Sequence, residues 1–436
     1  MQKSYVVQVL LATLGFGVIA ALIALSVGAP DCSSYCLAKQ TTPGASTAQQ
    51  GAPVPAISAG AANRFRSMIQ TTESALPQIP DRGAALFLLS RLYGRLGELP
   101  KALALAKESV ALDAGFDPGA APWLKPLQDN SEFRELVERV RRQNPPVHHA
   151  RVVFTVPDKD LFPEGLAADA QRRIFYMGSM HRRKIVKITP EGEVSDFVKQ
   201  GLYDLMPVGG VRVDLANHEI WAASDPAERQ SELMHFDASG KLLERYPAPG
   251  AGPHDLNDLV VRNSDAVFTT DTEAHLVFRF DRKSHAFTPL KFPRPIFYPN
   301  GIALSDDRNL LYVADILGVI VVDLRTNAAQ EVAPEAHDTL SGIDGLYWYK
   351  GDLIGVQYGT AAYRVMRWHL AKDGHTVTGN EIIERGTDLV KDPTTGAIFE
   401  GNFYFMTNTG IDNLEDDKIV DESKLEPVNI AVVPLH

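Results

Sequence analysis

The amino-acid sequence predicts a mostly β protein, a six-bladed β-propeller, preceded by a small N-terminal α-helical domain and an N-terminal transmembrane anchor or signal segment. After residue 150 the chain consists of short apolar runs separated by Gly, Asp, Asn and Pro, which is the pattern of β-strands joined by turns. A unit of three recognisable strands recurs six times at a spacing of roughly 45 residues, the length of a four-stranded propeller blade. Before residue 150 the periodicity is helical, and the first residues are apolar.

The sixth repeat lacks a recognisable fourth strand. The segment RVVFTV, residues 151–156, precedes the first repeat and has the composition of a strand. We expect it to pair with the last repeat, because closing the ring through its two ends leaves no sheet edge exposed. The propeller is therefore predicted to span residues 150–436.

The N-terminus carries a long apolar run, residues 5–28, preceded by Lys3. This run is long enough to span a bilayer and exceeds the hydrophobic region of a usual cleavable signal. An uncleaved anchor is therefore favoured for residues 1–36, with a removed signal peptide as the alternative. Because Lys3 is the positive charge beside the run, both alternatives predict an exported protein, periplasmic or extracellular, and the first also predicts attachment to the membrane.

Cysteine usage and net charge exclude several kinds of chemistry. The two cysteines, Cys32 and Cys36, follow the apolar run, and an oxidising compartment would let them close a small disulfide loop. The absence of cysteine after residue 36 excludes thiolate catalysis and cysteine-ligated zinc from the folded part. A formal net charge of −11 argues against nucleic acid as a partner, because phosphate binding requires clustered Lys and Arg.

A linker and a helical domain follow. Residues 37–62 are rich in Ala, Gly, Pro, Gln, Ser and Thr, which predicts a flexible linker. Residues 63–146 have apolar side chains at helical spacing. This domain resembles one tetratricopeptide repeat at six positions, Leu86, Leu89, Tyr93, Gly97, Ala102 and Leu112. Because a single repeat cannot form a peptide groove, we expect a helical cap or spacer, with the binding of a protein partner as the alternative.

Four oxygen-bearing residues stand at the starts of predicted inner strands. They are Glu164, Asn257, Asn300 and Asp344, separated by 93, 43 and 44 residues, that is, by two blades, one blade and one blade. Equivalent inner-strand positions of a propeller face the same level of the central axis, so we expect these side chains to converge there. The alternative is that the Asn and Asp residues only form turns between blades.

Two carboxylates and two amide oxygens suit a hard divalent cation. Calcium fits best, because it takes oxygen ligands in irregular geometry; zinc, manganese and magnesium are the alternatives. The two negative charges balance the charge of one dication, whereas without a cation the two carboxylates would repel each other.

The same four residues resemble the metal site of the regucalcin and gluconolactonase (senescence marker protein) family, which is related to paraoxonases and diisopropyl fluorophosphatases. The resemblance covers residues 150–436 and rests on Glu in E-G, Asn in N-D, Asn in N-G and Asp at the start of a later blade. It implies a cation that polarises the carbonyl of a small-molecule lactone or ester, or a phosphoryl oxygen. It also implies that Asp344 serves as base or nucleophile.

Three positions depart from the family's pattern. Asp255 stands where gluconolactonase-like members have Arg, Gly209 where paraoxonases have His, and Gly345 where paraoxonases have Asn. The metal frame is kept while the groups on the substrate side differ. A calcium-dependent lactonase or esterase is the first interpretation, and a non-catalytic propeller that binds a ligand or protein around a structural metal is the second. Strictosidine-synthase-like propellers are disfavoured because they lack this metal set.

The loops that join second to third strands should emerge on the face where the inner strands begin. His181 and His254 are the candidate general acids or bases there, and the alternative for each is a solvent-facing loop residue. The other predicted residues of this substrate rim are Asp225, Asp271, His275, Asp315, Tyr358 and Tyr363. The loop of the sixth blade, residues 411–427, is long and acidic, so it is either a mobile lid or a solvated insertion.

Overall fold

The computed structural model describes residues 57–225, 230–358, 360, 362–415 and 418–436. In this part of the chain six antiparallel sheets form a propeller, and each innermost strand packs against the innermost strands of two neighbouring sheets, so that the ring is closed. The mostly β class, the six blades and the small N-terminal helical region are as predicted.

Blades 1 to 3 are four-stranded meanders in chain order. From the axis outward, the strands of blade 1 are Pro163–Asp169, Ile174–Ser179, Ile185–Ile188 and Val194–Val198. Those of blade 2 are Val208–Asp214, Glu219–Ser224, Glu232–Phe236 and Leu242–Pro247. Those of blade 3 are Leu256–Arg262, Ala266–Asp271, Leu276–Asp281 and Ala286–Pro289.

Blades 4 to 6 complete the ring. The strands of blade 4 are Ile302–Leu304, Leu310–Asp315, Gly318–Asp323 and Ala328–Glu331. Those of blade 5 are Ile343–Tyr349, Asp352–Gln357, Arg364–Leu370 and Val377–Arg385, with the short strand Val147–His148 added outside. Those of blade 6 are Gly396–Phe399, Asn402–Met406, Val428–Pro434 and Arg151–Val156.

The closing strand lies where the sequence places it. Arg151–Val156 pairs antiparallel with Val428–Pro434 as the outer strand of blade 6. Inside this pairing Phe154 and Val156 pack into the hydrophobic cluster between blades 6 and 1. The two ends of the propeller therefore share one sheet, and the expected ring closure is confirmed.

The hydrophobic core of the propeller consists of the interfaces between blades. A cluster of buried side chains fills each boundary between neighbouring blades. Trp221 and Trp368 are among the largest fully buried side chains of these clusters. Because each blade packs on two neighbours, the inner strands are held at fixed positions around the axis.

Between residue 57 and the propeller the chain forms four α-helices: α1 (Ala59–Ala75), α2 (Arg82–Arg95), α3 (Leu99–Ala111) and α4 (Ser131–Gln143). Side chains of Ser58, Asp81 and Asn130 cap the N-termini of α1, α2 and α4 by accepting backbone N–H bonds. Helix α1 starts four residues before the predicted domain boundary at residue 63. We call residues 57–146 the helical segment; its similarity to a tetratricopeptide repeat stays a prediction.

Within the described ranges, no helix is long and apolar enough to cross a membrane. The predicted anchor or signal at residues 5–28, the cysteines Cys32 and Cys36 and most of the predicted linker lie outside these ranges. Export and membrane attachment therefore stay predictions.

Candidate functional site

The four predicted metal ligands occupy one equivalent position in four blades. In blades 1, 3 and 5, Glu164, Asn257 and Asp344 are each the first of two inner-strand residues opposite one residue of the second strand, a β-bulge. In blade 4 Asn300 has the same place, since its N–H donates to the carbonyl of Ala314 at 2.9 Å. The spacing of the four residues in the sequence suggested that they occupy equivalent positions, and the strand pairing shows that they do.

A hydrogen bond repeated in every blade shows on which face this position lies. Near the start of each loop after a second strand, one N–H donates to a carbonyl shortly before the inner strand of the same blade. The donors and acceptors, all 2.8–3.1 Å apart, are Met180 to Phe162, Asp225 to Pro207, Thr272 to Asp255, Ile316 to Phe297, Tyr358 to Gly342 and Thr409 to Asp392. The inner-strand starts and these loops therefore share one face, as predicted, which we call the entrance face.

Glycines next to the ligands let the inner strands approach closely. A Cβ on Gly165 would lie 2.3 Å from the carbonyl oxygen of Gly209, and a Cβ on Gly301 would lie 2.6 Å from that of Asp344. Any other side chain would push the blades apart at these points. The glycine that follows Glu164 and the glycine that follows Asn300 thus have a packing role that brings the donors of neighbouring blades together.

Asn300 and Asp344 are in direct contact. The amide Nδ2 of Asn300 donates to Oδ1 of Asp344 at 2.7 Å, so the amide oxygen of Asn300 is turned away from that bond. Asn300 Oδ1 is buried, and the described residues supply it with no hydrogen-bond partner. The carboxylates of Glu164 and Asp344 are also almost fully buried, with 3% and 5% of the residue surface exposed.

The described residues contain no cluster of three or more His, Cys, Asp and Glu side chains that would hold a metal ion. A site of the zinc type, built from such side chains alone, is therefore not present in the described ranges. The four ligands predicted from the sequence include two amides, and this donor set of neutral and anionic oxygens fits a hard cation such as calcium.

An ion pair lies beside the bulge position on the axis. Asp258, the second bulge residue of blade 3, is 1% exposed and accepts a bond from Nη2 of Arg212 in blade 2 at 2.8 Å. The guanidinium of Arg212 also lies 5.5 Å from the ring centre of Tyr347 in blade 5. Burial raises the pKa of Asp258, Arg212 lowers it, and the nearby charge of Glu164 raises it. The side chains of Arg212, Asp258 and Tyr347 come from three blades and together span the channel.

The sequence prediction missed this ion pair, although a signal exists. Arg212 is a charged residue in an inner strand, GVRVD, whose neighbours are apolar, and Asp258 directly follows a predicted ligand. A charge in such a strand has to find a partner inside the ring, because buried charges are paired.

His254 forms a buried pair with a carboxylate. Its Nδ1 lies 2.6 Å from Oδ2 of Asp271, and the histidine side chain is 7% exposed while that of Asp271 is 0% exposed. The other oxygen of Asp271 accepts the backbone N–H groups of Asp255 and Ala274. Asp271 therefore holds the His254 ring in one orientation, and it lies inside the protein rather than at the rim surface where the sequence placed it.

The other two rim histidines bond to backbone. His181 is half-buried, with Nδ1 3.1 Å from the carbonyl oxygen of Asp160. His275 accepts the backbone N–H of Tyr298 on Nδ1 at 3.1 Å, and burial lowers its pKa, so that its ring is held in the neutral form. Within the described residues, neither has the carboxylate partner that His254 has.

Three more predicted rim residues are buried, while Asp225 is half-buried on the entrance face. Asp315 accepts two bonds from Arg294, at 2.5 and 2.9 Å, which makes it a structural ion pair. Tyr358 and Tyr363 stack at a centroid distance of 4.3 Å, and the Tyr358 hydroxyl donates to Asp392. These three side chains support the rim from inside, where burial keeps them from a substrate in solvent.

The long loop of blade 6 is folded on itself. Its described part contains two short paired strands, Leu414–Glu415 and Lys418–Ile419, and Asn413 exchanges two hydrogen bonds with the backbone of Asp421. Burial raises the pKa of Tyr358 and of Tyr363 most; the carboxylate of Asp412 adds to it at Tyr363, and Asp392 adds more than Asp412 at Tyr358. Asp412 therefore lies near these two tyrosines of blade 5, and the function of the loop as a lid stays a prediction.

No protein-family model matches the chain, and no curated protein matches its sequence. Several solved structures are similar to it in shape. A gluconolactonase from Xanthomonas campestris is 18% identical, aligned over 67% of this chain and 95% of its own, with a TM-score of 0.46. A PQQ-bound aldose sugar dehydrogenase from Streptomyces coelicolor is 14% identical over 66% of this chain and 99% of its own, with a TM-score of 0.47.

A luciferin-regenerating enzyme is likewise 14% identical, aligned over 67% of this chain and 96% of its own, with a TM-score of 0.44. These similarities assign neither an activity nor a substrate to this chain. The function has to be argued from the site itself.

Proposed function

We propose that this protein is a divalent-cation-dependent hydrolase of small lactones or esters, with calcium as the first candidate metal. The observation that carries the proposal is the shared bulge position of Glu164, Asn257, Asn300 and Asp344. Four oxygen donors at one level of a closed ring are more than turn formation between blades requires, since turns need no common register.

The chemistry of these donors fits a cation. Glu164 and Asp344 carry two negative charges in a buried place, which one dication balances. The buried Asn300 Oδ1 lacks a hydrogen-bond partner among the described residues, and an unsatisfied buried acceptor costs about 1–3 kcal/mol. A hard cation is a ligand that would remove this cost, and amide and carboxylate oxygens are the donors it prefers.

When bound, a cation in this place would supply Lewis acidity toward a carbonyl oxygen of the substrate. His254 is the proposed general base, because Asp271 accepts its Nδ1–H and thereby keeps Nε2 as the basic nitrogen. Nε2 takes a proton from water while the water oxygen bonds to the carbonyl carbon. As the carbon–oxygen bond to the leaving group breaks, the same proton passes from His254 to the departing alkoxide, which leaves as the alcohol.

The charges near the site favour a neutral or cationic substrate. Asp255 stands beside His254, where gluconolactonase-like members have Arg, and it is 7% exposed. The cation of Arg212 is already paired with Asp258. Neither position offers a spare positive charge for an acidic sugar lactone, so an uncharged lactone or aryl ester is the proposed substrate class.

The test is a panel of lactones, aryl esters and organophosphates, assayed on chelator-treated protein with calcium, manganese, zinc or magnesium added back. Turnover should require a cation, and Asp344→Asn should lose both cation binding and turnover. His254→Gln should lose turnover while it still binds the cation in calorimetry, and His181→Gln is the matched control. Absence of cation binding would overturn the proposal.

The remaining outcome identifies the second candidate function. If the cation binds and no substrate of the panel is turned over, the propeller is a binding module with a structural metal. The departures at Asp255 and Gly209 from the enzymatic relatives favour that candidate.

A further inference from the structure

Among the described residues, the helical segment covers the side of the entrance face formed by blades 4 and 5 and leaves the opposite side open. We propose, resting on the proposed function, that this segment is a fixed wall of the substrate entrance over blades 4 and 5, so that substrate reaches the axial site from the side of blades 1 to 3. Four sets of contacts between the helical segment and the propeller define the position of this wall.

The first contact joins helix α2 to blade 5. Asp81, the N-cap of α2, accepts the hydroxyl of Thr339 at 2.5 Å and the backbone N–H of Leu340 at 3.1 Å. Both propeller residues lie four or five positions before Asp344. All three residues are buried, so the helix start is fastened to the loop that leads into a predicted ligand.

The second contact is apolar and lies over blade 4. Phe297 and Leu317, both on the entrance face, belong to the same hydrophobic cluster as Phe65, Phe87 and Trp123 of the helical segment. Phe297 lies three residues before Asn300. The core of the helical segment therefore continues into the propeller, and the two parts share one interior.

The third contact is apolar and reaches the edge of blade 3. The ring of Tyr298, which follows Phe297 in the chain, packs against the hydrophobic cluster of the helical segment. On its other side it meets the ring of His275, in the rim loop of blade 3, at a centroid distance of 4.5 Å. The packing of the helical segment therefore extends to the border of blades 3 and 4.

The fourth contact attaches the end of the segment to the outside of blade 5. The guanidinium of Arg385 donates two bonds to the carbonyl oxygen of Pro145, at 3.0 and 2.8 Å. Glu384 accepts the backbone N–H groups of His149 and Ala150, at 2.9 and 3.0 Å. The chain is thereby held at both ends of the covered sector, which makes the segment a wall rather than a swinging lid.

The entrance loops before blades 4 and 5 are more buried than the loop before blade 3. Residues 249–253, four to eight positions before Asn257, are all exposed. At the same distance before Asn300 and Asp344, the buried residues are Arg294, Ile296, Asp338, Thr339 and Leu340. The open side carries His254, the proposed base, and the half-buried His181.

The test uses thiol accessibility in the full chain. Cys32 and Cys36 are the only cysteines, so a Cys32→Ser, Cys36→Ser background permits single cysteines at Ala251→Cys on the open side and Ser341→Cys under the wall. With a small maleimide, Ala251→Cys should react at least about a hundred times faster, because modification under the wall requires local opening of the structure. Equal rates would overturn the proposal, whether or not the protein has activity.

A second measurement tests the route itself. A bulky maleimide on Ala251→Cys should block turnover of the aryl ester, and the same label at Glu135→Cys, on the exposed face of α4, should leave turnover unchanged. Full turnover with the label at residue 251 would also overturn the proposal. If the unlabelled protein has no turnover with any substrate, the proposed function fails while the thiol rates still decide the wall.

Discussion

The side-chain amide of Asn300 donates a hydrogen bond to the carboxylate of Asp344 across the boundary between blades 4 and 5, with 2.7 Å between Nδ2 and Oδ1. Because Nδ2 of Asn300 makes this bond, the buried Oδ1 of the same amide remains available to another ligand. Two residues 44 positions apart in sequence thus form one unit, and the predictions start from this pair.

Asp344→Asn is expected to abolish stabilisation of the fold by calcium. We call Glu164, Asn257, Asn300 and Asp344 the ligand ring. If calcium binds there, a free calcium concentration of one hundred times the dissociation constant stabilises the native state by about 2.7 kcal/mol. Asp344→Asn removes one of the two negative charges of the ring, so calcium should not shift the melting temperature of this variant upward. Asp373→Asn, an exposed turn residue of the same blade, is the control and should keep the shift. An equal shift in Asp344→Asn would remove this residue from the site.

Asp271→Asn is expected to lower kcat by about 10² or more, because the amide cannot stabilise the proton on His254 in the reacting complex. Asp315→Asn is the matched control, since Asp315 ends the second strand of the next blade but pairs with Arg294 instead of a histidine. It should lower the melting temperature and leave kcat of the folded protein unchanged. Nitrogen NMR of the His254 ring should show loss of the fixed tautomer in Asp271→Asn alone.

The contact of Asp81 with the propeller is expected to make the stability of the protein depend on pH, and the variant Asp81→Asn tests this. Burial raises the pKa of Asp81 to about 6, against 3.8 for the free side chain. The folded state therefore binds the proton more tightly than the unfolded state, and this contribution to stability is largest at low pH and is lost as pH rises through about 6.

Between pH 4 and 7 the free energy of unfolding of the wild type should fall, relative to that of Asp81→Asn, by up to about 3 kcal/mol. The difference between the two proteins in urea unfolding at several pH values isolates this effect from other titrating groups. A difference that does not vary with pH would contradict the assignment.

Arg212→Met is expected to destabilise the propeller by about 3–5 kcal/mol, because it leaves the buried carboxylate of Asp258 without its cation. Adding Asp258→Asn should recover a large part of this loss, since the double variant buries no unpaired charge. A double-mutant cycle by urea unfolding measures the coupling. Purely additive losses would show that the two side chains act independently.

Deletion of residues 151–156 is expected to unfold the propeller cooperatively. The deletion removes the outer strand of blade 6 and exposes the edge of Val428–Pro434. It also takes Phe154 and Val156 out of the cluster between blades 6 and 1. A thermal melt of the deleted protein that equals that of the wild type would contradict ring closure through this strand.

The sequence by itself predicted the propeller, the number of blades and the closing strand, because these follow from local patterns that repeat. Apolar alternation and turn residues act within a few positions, and six copies of one pattern reinforce each other. The bulge position of Glu164, Asn257, Asn300 and Asp344 was also predictable, since it stands at the same place in each repeat.

Tertiary structure decided the partners of each side chain and the burial of the rim. Asp271 and Asp315 end equivalent strands, yet one holds His254 and the other Arg294, because their neighbours come from different loops. The Arg212–Asp258 pair and the contact of Asp81 with Thr339 join residues 46 and 258 positions apart. No repeat encodes such contacts; they depend on which surfaces the folded blades and helices bring together.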